Sequence, residues 1–171
     1  DHFLETQPID GAIGYKLEAP PIHPVIFAST LPGYGREQSE LLAQFPKTQA
    51  LLALLRDGFH EQAVGGKVEL RSSGAPLLDY PLTEYLLEGA RRSMLAMAEI
   101  QFEAGAKTVY PGHEMGEGTT NWADTKAAIN ALPMKPLLTK IGSAHVMGGC
   151  GMAADEKRGV TDVWGRYRGL A

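Results

Sequence analysis

The stretch LTEYLLEGARRSMLAMAEIQFEAG, residues 82–105, has the clearest structural pattern in this chain. Its apolar residues recur at steps of three, four or their sums, which is the spacing of one helix face. Thr83 can cap the start of such a helix and Gly105 can end it. The pattern therefore predicts a long helix over 82–104 whose apolar face holds Leu82, Leu86, Met94, Met97, Ile100 and Ala104.

Short apolar segments on either side of this helix predict the remaining elements. Strands are predicted at GYKLEA (14–19), KVELR (67–71), PLLDY (76–80) and KTVYP (107–111). Helices are predicted at 36–45, ending before Pro46, and at 119–132, ending before Pro133; the segment ALLALLRDG (50–58) fits either a buried strand or a short helix. This uneven interleaving predicts an α+β fold, with a mostly antiparallel sheet covered by helices on one side.

Composition excludes several classes of partner. The chain has 171 residues, 44% of them apolar, which is enough for one domain over 1–171. A formal net charge of −4 with scattered Lys and Arg argues against nucleic acid as a partner, and no apolar run has the length of a membrane span. The single cysteine, Cys150, excludes an internal disulfide and fits a reducing compartment such as the cytoplasm.

Several residues that could carry chemistry have simpler interpretations. His2, His60 and the Arg91–Arg92 pair are interpreted as solvated side chains, and Met94 with Met97 as core. His113 and Glu114 lack further ligands at metal-binding spacing, so no metal site is predicted and their loop is expected to line a cavity. The segments 33–35 and 116–118 begin like a dinucleotide-binding glycine motif. Neither has the full context of that motif, which follows a strand, continues to a third glycine and opens a helix.

The segment SAHVMGGCGM, 143–152, places a histidine, the only cysteine and three glycines within ten positions. Three interpretations are open. Cys150 could be a nucleophile with His145 as its base, as in a cysteine-dependent hydrolase, or His145 could be a hydrogen-bonded interior residue beside a simple turn. Alternatively, the imidazole faces something flat and large, which the side-chain-free backbone of Gly148 and Gly149 can approach closely.

The third interpretation matches a known family. Residues 143–171 resemble the C-terminal signature of the glucose-methanol-choline (GMC) flavoprotein oxidoreductases, a His-x-x-Gly-Gly/Thr-Cys stretch followed by Gly-Val-x-Asp. GYKLEAPPIHP (14–24) and EIQFEAGAKTVYP (99–111) resemble the substrate-domain half of that family. The signature positions in this chain are His145, Gly148, Gly149, Cys150, Gly159, Val160 and Asp162.

The resemblance implies a function and a set of site residues. It makes His145 the catalytic histidine at the flavin, Gly148 and Gly149 the backbone beside the FAD ring, and the chain a substrate-binding domain. The family's Rossmann half and its final C-terminal segment are expected to belong to the same protein but to lie outside this chain. Most of the FAD would therefore be bound by residues outside this chain. The chain alone is therefore expected to be inactive.

The substrate expected from this resemblance is a small-molecule alcohol. Apolar residues around PVIFASTLPG, 24–33, favour a lipophilic one, sterol-like or long-chain. In the cholesterol-oxidase branch, a carboxylate precedes a proline-rich stretch that resembles LEAPPIHP, so Glu18 is a candidate second base, with His23 lining the same cavity. The competing hypothesis is a non-catalytic module that binds an apolar ligand.

Overall fold

The computed structural model describes residues 11–31, 33–58, 60–143, 145 and 148–169. His2 lies outside these residues. The order of elements along the chain is β1 (Tyr15–Glu18), α1 (Pro24–Thr30), α2 (Gly35–Leu42), a 3₁₀ turn (Phe45–Lys47), β2 (Leu52–Leu55), β3 (Lys67–Leu70), β4 (Pro76–Asp79), α3 (Glu84–Glu103) and α4 (Trp122–Ala131).

The described strands are all antiparallel and form two separate two-stranded sheets. β2 returns to β1 after the α1–α2 segment, with Glu18 opposite Leu52, and the 50–58 segment is thus a strand. β3 and β4 form a hairpin with Lys67 opposite Asp79. The α+β class is confirmed. The described strands form two separate sheets, whereas one sheet was predicted.

α3 confirms the prediction from residues 82–105, including both of its ends. The Thr83 side chain accepts a hydrogen bond from the Leu86 amide, and Gly105 has the positive φ of 92° that ends many helices. The buried face differs at its C-terminal end, where Ile100 is 48% exposed and Ala98 is buried. The predicted stripe is therefore correct near Leu86 and Met94 and wrong at Ile100 and Ala104, which are exposed.

α4 supplies the second wall of the main apolar core. Its N-cap Asn121 accepts from the Asp124 amide, and its buried Ile129 packs in a cluster with Met94, Ala98 and Val109. The predicted strand at 107–111 is reduced to a single bridge between Val109 and Thr119. This core holds α3 and α4 together.

The chain divides into two compact units. The first contains Asp1–Gly65 and Leu82–Lys140, and the second contains Gly66–Pro81 and Ile141–Ala171. Within the part of the chain that the structure describes, no helix combines the length and the apolarity needed to cross a membrane.

Candidate active site

His145 lies on a bend of the second unit, and it is exposed. Gly148 and Gly149 follow it with φ values of 83° and 74°, a left-handed conformation that residues with a Cβ rarely adopt. Among the described residues, leaving out the chain neighbours of each glycine, no atom lies within 4 Å of a Cβ placed on Gly148 or Gly149. The described part of this segment therefore has an exposed imidazole at position 145 and a left-handed, side-chain-free backbone at 148–149.

The Gly-Val-x-Asp segment supports the end of this bend. Thr161 donates its amide to the Gly151 carbonyl over 3.2 Å, and Ala153 donates its amide to the Thr161 carbonyl over 3.1 Å. Gly159 is buried against the same backbone, so that a Cβ on it would lie 2.5 Å from the Gly151 oxygen. The absence of a side chain at Gly159 is what allows the two segments to approach each other.

Asp162 organises the turn that follows. Its Oδ1 accepts from the amides of Trp164 at 2.9 Å and Arg166 at 3.0 Å, and its Oδ2 accepts from Arg166 Nε at 2.7 Å. Desolvation by burial raises the pKa of Asp162, but the hydrogen bonds from Arg166 and Trp164 and the Arg166 charge outweigh it, so the pKa is lowered. Asp162 therefore holds the backbone of the turn at 162–166 in place.

Cys150 follows the two glycines and is an exposed free thiol. Among the described residues, no three His, Cys, Asp or Glu side chains lie close enough together to hold a metal ion.

Glu18 lies at the end of β1 in the first unit, whereas His145 lies in the second. Its Oε1 is 3.0 Å from Lys16 Nζ, and the Lys16 and Glu18 side chains are 50% and 42% exposed. Residues two apart on a strand lie on the same face, which explains this pairing. The neighbour of the Glu18 carboxylate is therefore an ammonium group.

His113 and His23, both in the first unit, have local structural roles. His113 is buried, its Nδ1 accepts from the Met115 amide at 3.0 Å, and its Nε2 lies 3.0 Å from the Pro133 carbonyl oxygen, to which it donates. The His113 side chain fills the interior of the first unit, and the expectation that the loop around it lines a cavity stays a prediction. His23 caps α1, with Nδ1 accepting from the Val25 amide.

Arg91 and Arg92 were predicted to be solvated, and this prediction was wrong. The Arg91 guanidinium donates to the carbonyls of Ile129 at 2.6 Å, Asn130 at 3.0 Å and Leu132 at 3.0 Å, which satisfies the C-terminal end of α4. Arg92 donates to the Ile13 carbonyl at 3.0 Å and lies over the Tyr15 ring. No local sequence signal indicates these contacts, because their partners are 38 or more residues away.

An open apolar groove of about 560 Å³ lies beside α1. One wall consists of Pro24, Val25 and Ala28, and the other of Leu42, Ala43, Phe45 and Pro46. The sequence showed only that residues 24–33 are largely apolar; it did not indicate a groove.

Comparison with known proteins gives one match. The family model described as GMC oxidoreductase matches residues 62–171, which is more than half of the chain and includes the whole bend. No curated protein and no solved structure matches the chain.

Proposed function

Because the chain belongs to the GMC oxidoreductase family, we propose that it is the substrate-binding domain of an enzyme that oxidises an alcohol, with His145 as the proton acceptor or positioner. The family is one of FAD-type oxidoreductases. The single observation that carries the proposal is the exposed imidazole of His145, three positions before two left-handed glycines against which no other described residue packs.

The bend fits a flat ring system such as that of FAD. Gly148 and Gly149 have no side chain of their own, and no other described residue lies within 4 Å of a Cβ placed on either, which supports the approach of an aromatic ring to this backbone. Gly148 and Gly149 would line the ring, while the phosphates of the cofactor would be bound by residues outside this chain. When bound, FAD supplies the acceptor for the hydride that leaves the alcohol carbon.

The contribution of His145 is a proton transfer at a defined place. Oxidation of an alcohol to a carbonyl breaks a C–H bond, whose hydride is transferred, and an O–H bond, whose proton needs an acceptor. An imidazole that is neutral at physiological pH can accept this proton or hold the hydroxyl by a hydrogen bond. Positioned proton transfer of this kind contributes about 10²-fold to 10⁴-fold to the rate.

Glu18 is proposed as a second base, with a smaller contribution. It has to exchange its ion pair with Lys16 for contact with the substrate hydroxyl, which the half-exposed position of the side chain allows. If Glu18 has this role, the proposed substrate is a sterol-like alcohol, as in the cholesterol-oxidase branch. We expect Glu18→Gln to reduce turnover by about tenfold or less, since the histidine still accepts the proton.

The decisive experiment replaces His145 in the FAD-loaded enzyme. We expect His145→Ala to lower kcat by at least about 100-fold while the bound FAD remains stoichiometric, because the substitution removes the proton acceptor and leaves the glycine backbone intact. His60→Ala is the matched control, since His60 is stacked on Tyr85 in the first unit, and its kcat should stay near wild type. Near-normal turnover of His145→Ala would contradict the proposal.

The isolated 171-residue chain provides a second test. We expect it to be inactive and to bind no stoichiometric FAD, because the phosphate-binding residues are proposed to lie elsewhere in the protein. A yellow, stoichiometric complex of these residues alone would contradict this part of the proposal.

A second candidate function is favoured by the apolar groove beside α1: a module that binds an apolar ligand without redox chemistry. The two functions differ in what they require of His145. An apolar-ligand module would retain its whole activity, ligand binding, in His145→Ala, whereas the oxidoreductase would lose turnover.

A further inference from the structure

We infer that the loop at 112–118 is acid-sensitive: it stays packed against residues 133–140 only while the buried imidazole of His113 is neutral. A second proton on this ring opens the loop. The inference uses residues of the first unit alone and does not depend on the function proposed for His145.

Two backbone groups fix the protonation state of the His113 ring. Nδ1 accepts from the Met115 amide at 3.0 Å, and because an amide N–H only donates, Nδ1 carries no proton. Nε2 lies 3.0 Å from the Pro133 carbonyl oxygen, and because a carbonyl only accepts, Nε2 carries the proton. The ring is therefore neutral, and both of its nitrogens are already hydrogen-bonded.

A second proton on this ring has no acceptor. It would lie on Nδ1 and face the hydrogen of the Met115 amide, so that two donors would meet where one hydrogen bond exists now. It would also place a positive charge on a residue that is only 1% exposed. Burying a charge without a counter-charge is costly, so the protonated ring is accommodated only when the loop moves and admits water.

His23 and His60 have the same local bond as His113 and differ from it in burial. Each accepts, through Nδ1, the amide two positions further along the chain, Val25 at 3.2 Å and Gln62 at 3.1 Å. His23 is exposed and His60 is half-buried, so water reaches either ring when it gains a proton. Of these three histidines, only His113 is enclosed by the interior.

Three basic side chains lie on the segments around the imidazole. The segment after α4 carries Lys135 and Lys140. Arg91 of α3, which is 3.5 Å from Glu88, donates to the Leu132 carbonyl at 3.0 Å, one residue before the carbonyl that the imidazole uses. Like charges oppose each other, so these groups add to the cost of a positive charge on the ring.

The carboxylates of these segments do not compensate a charge on the ring. Glu114 and Glu117, on the loop itself, are exposed, and Glu114 Oε1 lies 3.6 Å from Lys140 Nζ. The charged residues of α4, Asp124 and Lys126, are also exposed. Because backbone atoms are bonded to both ring nitrogens, none of these carboxylates is hydrogen-bonded to the imidazole.

The loop has little other backbone pairing to hold it in place. His113 forms an isolated antiparallel bridge with Thr139. Its two hydrogen bonds run from the Glu114 amide to the Leu138 carbonyl at 2.8 Å and from the Lys140 amide to the Gly112 carbonyl at 3.0 Å. We therefore expect protonation to open residues 112–116 and 138–140 locally, with these amides as the reporters.

The size of the effect follows from proton linkage. A histidine in an open or unfolded segment gains a proton below about pH 6.5, whereas the closed loop has no place for this proton. The open state therefore binds more protons, and the closed state becomes less stable as the pH falls through this value. Between pH 7 and pH 5.5 the population of the open state should rise by about fivefold to tenfold.

Native-state hydrogen exchange of the whole 171-residue chain tests this inference. We expect the protection of the Glu114, Met115 and Lys140 amides, corrected for the intrinsic exchange rate at each pH, to fall by about fivefold to tenfold between pH 7 and pH 5.5. Unchanged protection of these amides overturns the inference.

Two variants assign the effect to one ring. His113→Asn keeps an acceptor for the amide two positions on and cannot gain a proton, so its exchange should lose the pH dependence. His60→Asn is the matched control, because it removes a histidine with the same local bond outside the interior, and the loop should respond to pH as in wild type. A response that persists in His113→Asn overturns the inference, since another group would then be titrating.

Nitrogen-15 NMR of the wild-type ring keeps the inference testable if circular dichroism shows that His113→Asn does not fold. At pH 7 the proton should be on Nε2, and a proton on Nδ1 contradicts the hydrogen bonds described above. During titration the ring signal and the exchange of the loop amides should change over the same pH range. A ring that gains its proton while the protection of the loop amides stays constant overturns the inference.

Discussion

Gly89 in α3 and Gly149 in the bend after His145 both lack a side chain, for opposite physical reasons. At Gly89 the buried side chain of Ile13, which is only 1% exposed, occupies the space of the missing Cβ. A Cβ on Gly89 would lie 2.1 Å from Cγ2 of Ile13. At Gly149 no described residue other than its chain neighbours lies within 4 Å of the Cβ position, and φ is 74°. Packing excludes a side chain at Gly89, whereas the left-handed backbone disfavours one at Gly149.

The largest effect on stability is expected at the closed glycine. Gly89→Val should lower the free energy of unfolding by about 2–3 kcal/mol, because its methyl groups must displace Ile13 from a filled interior. Chemical denaturation measures this loss, and Ala127→Val on the exposed side of α4 should cost about 0.5 kcal/mol, the difference in helix propensity.

A double-mutant cycle isolates the contact itself. In the presence of Ile13→Ala the additional cost of Gly89→Val should fall by at least about 1 kcal/mol, because the clashing methyl group is gone. Strictly additive costs would show that the two residues do not compete for this space.

The next effect in size concerns the cap of α4. Arg91→Met should destabilise the chain by about 2 kcal/mol, since three carbonyls at the end of α4 lose a charged donor. Arg36→Met removes an exposed pair with Glu40 and should cost less than about 0.5 kcal/mol in the same denaturation experiment. Equal losses in the two variants would mean that the Arg91 contacts do not stabilise the end of α4.

A smaller loss is expected at the open glycine. Gly149→Ala should cost about 1–2 kcal/mol through its left-handed backbone, because no described residue beyond its chain neighbours would contact the new methyl group. Gly142→Ala is the matched control, since its Cβ also meets no atom and its φ is not positive, and it should be neutral or slightly stabilising. A comparable loss at Gly142 would point to a general effect of alanine in this segment.

The smallest effect appears only with pH. The lowered pKa of Asp162 means that its carboxylate stabilises the fold above about pH 4, the ordinary pKa, and that this contribution is lost as pH falls through the lower folded value. The difference in denaturation midpoint between wild type and Asp162→Asn should therefore be larger at pH 7 than at pH 3. A difference that does not change with pH would exclude the charge as its cause.

The fold could be predicted from the sequence wherever local patterns decide it. The helix over 84–103, its Thr83 cap and the β3–β4 hairpin follow from spacing and turn residues a few positions apart. The contacts of Arg91 with the end of α4 and of His113 with the Pro133 carbonyl could not be predicted, because these partners are 38 or more and 20 residues away in the sequence and are brought together by packing. Ile100 shows the same limit, since its exposure depends on which helix face α4 covers.

The candidate site was predictable to a different extent at each residue. The left-handed glycines after His145 follow from a Gly-Gly pair, because such pairs favour turns of positive φ. The Lys16–Glu18 pair follows from spacing of two on a strand, a signal present in the sequence that the assignment of Glu18 as a base did not use. The catalytic role of His145 stays a prediction.

Rapid-mixing measurement of flavin reduction tests that role most directly. With the alcohol substrate and without oxygen, the FAD-loaded His145→Ala enzyme should be reduced at least about 100-fold more slowly than wild type, with equal FAD content. Reduction at the wild-type rate would contradict the account, because the proton would then leave the alcohol without the imidazole at the bend.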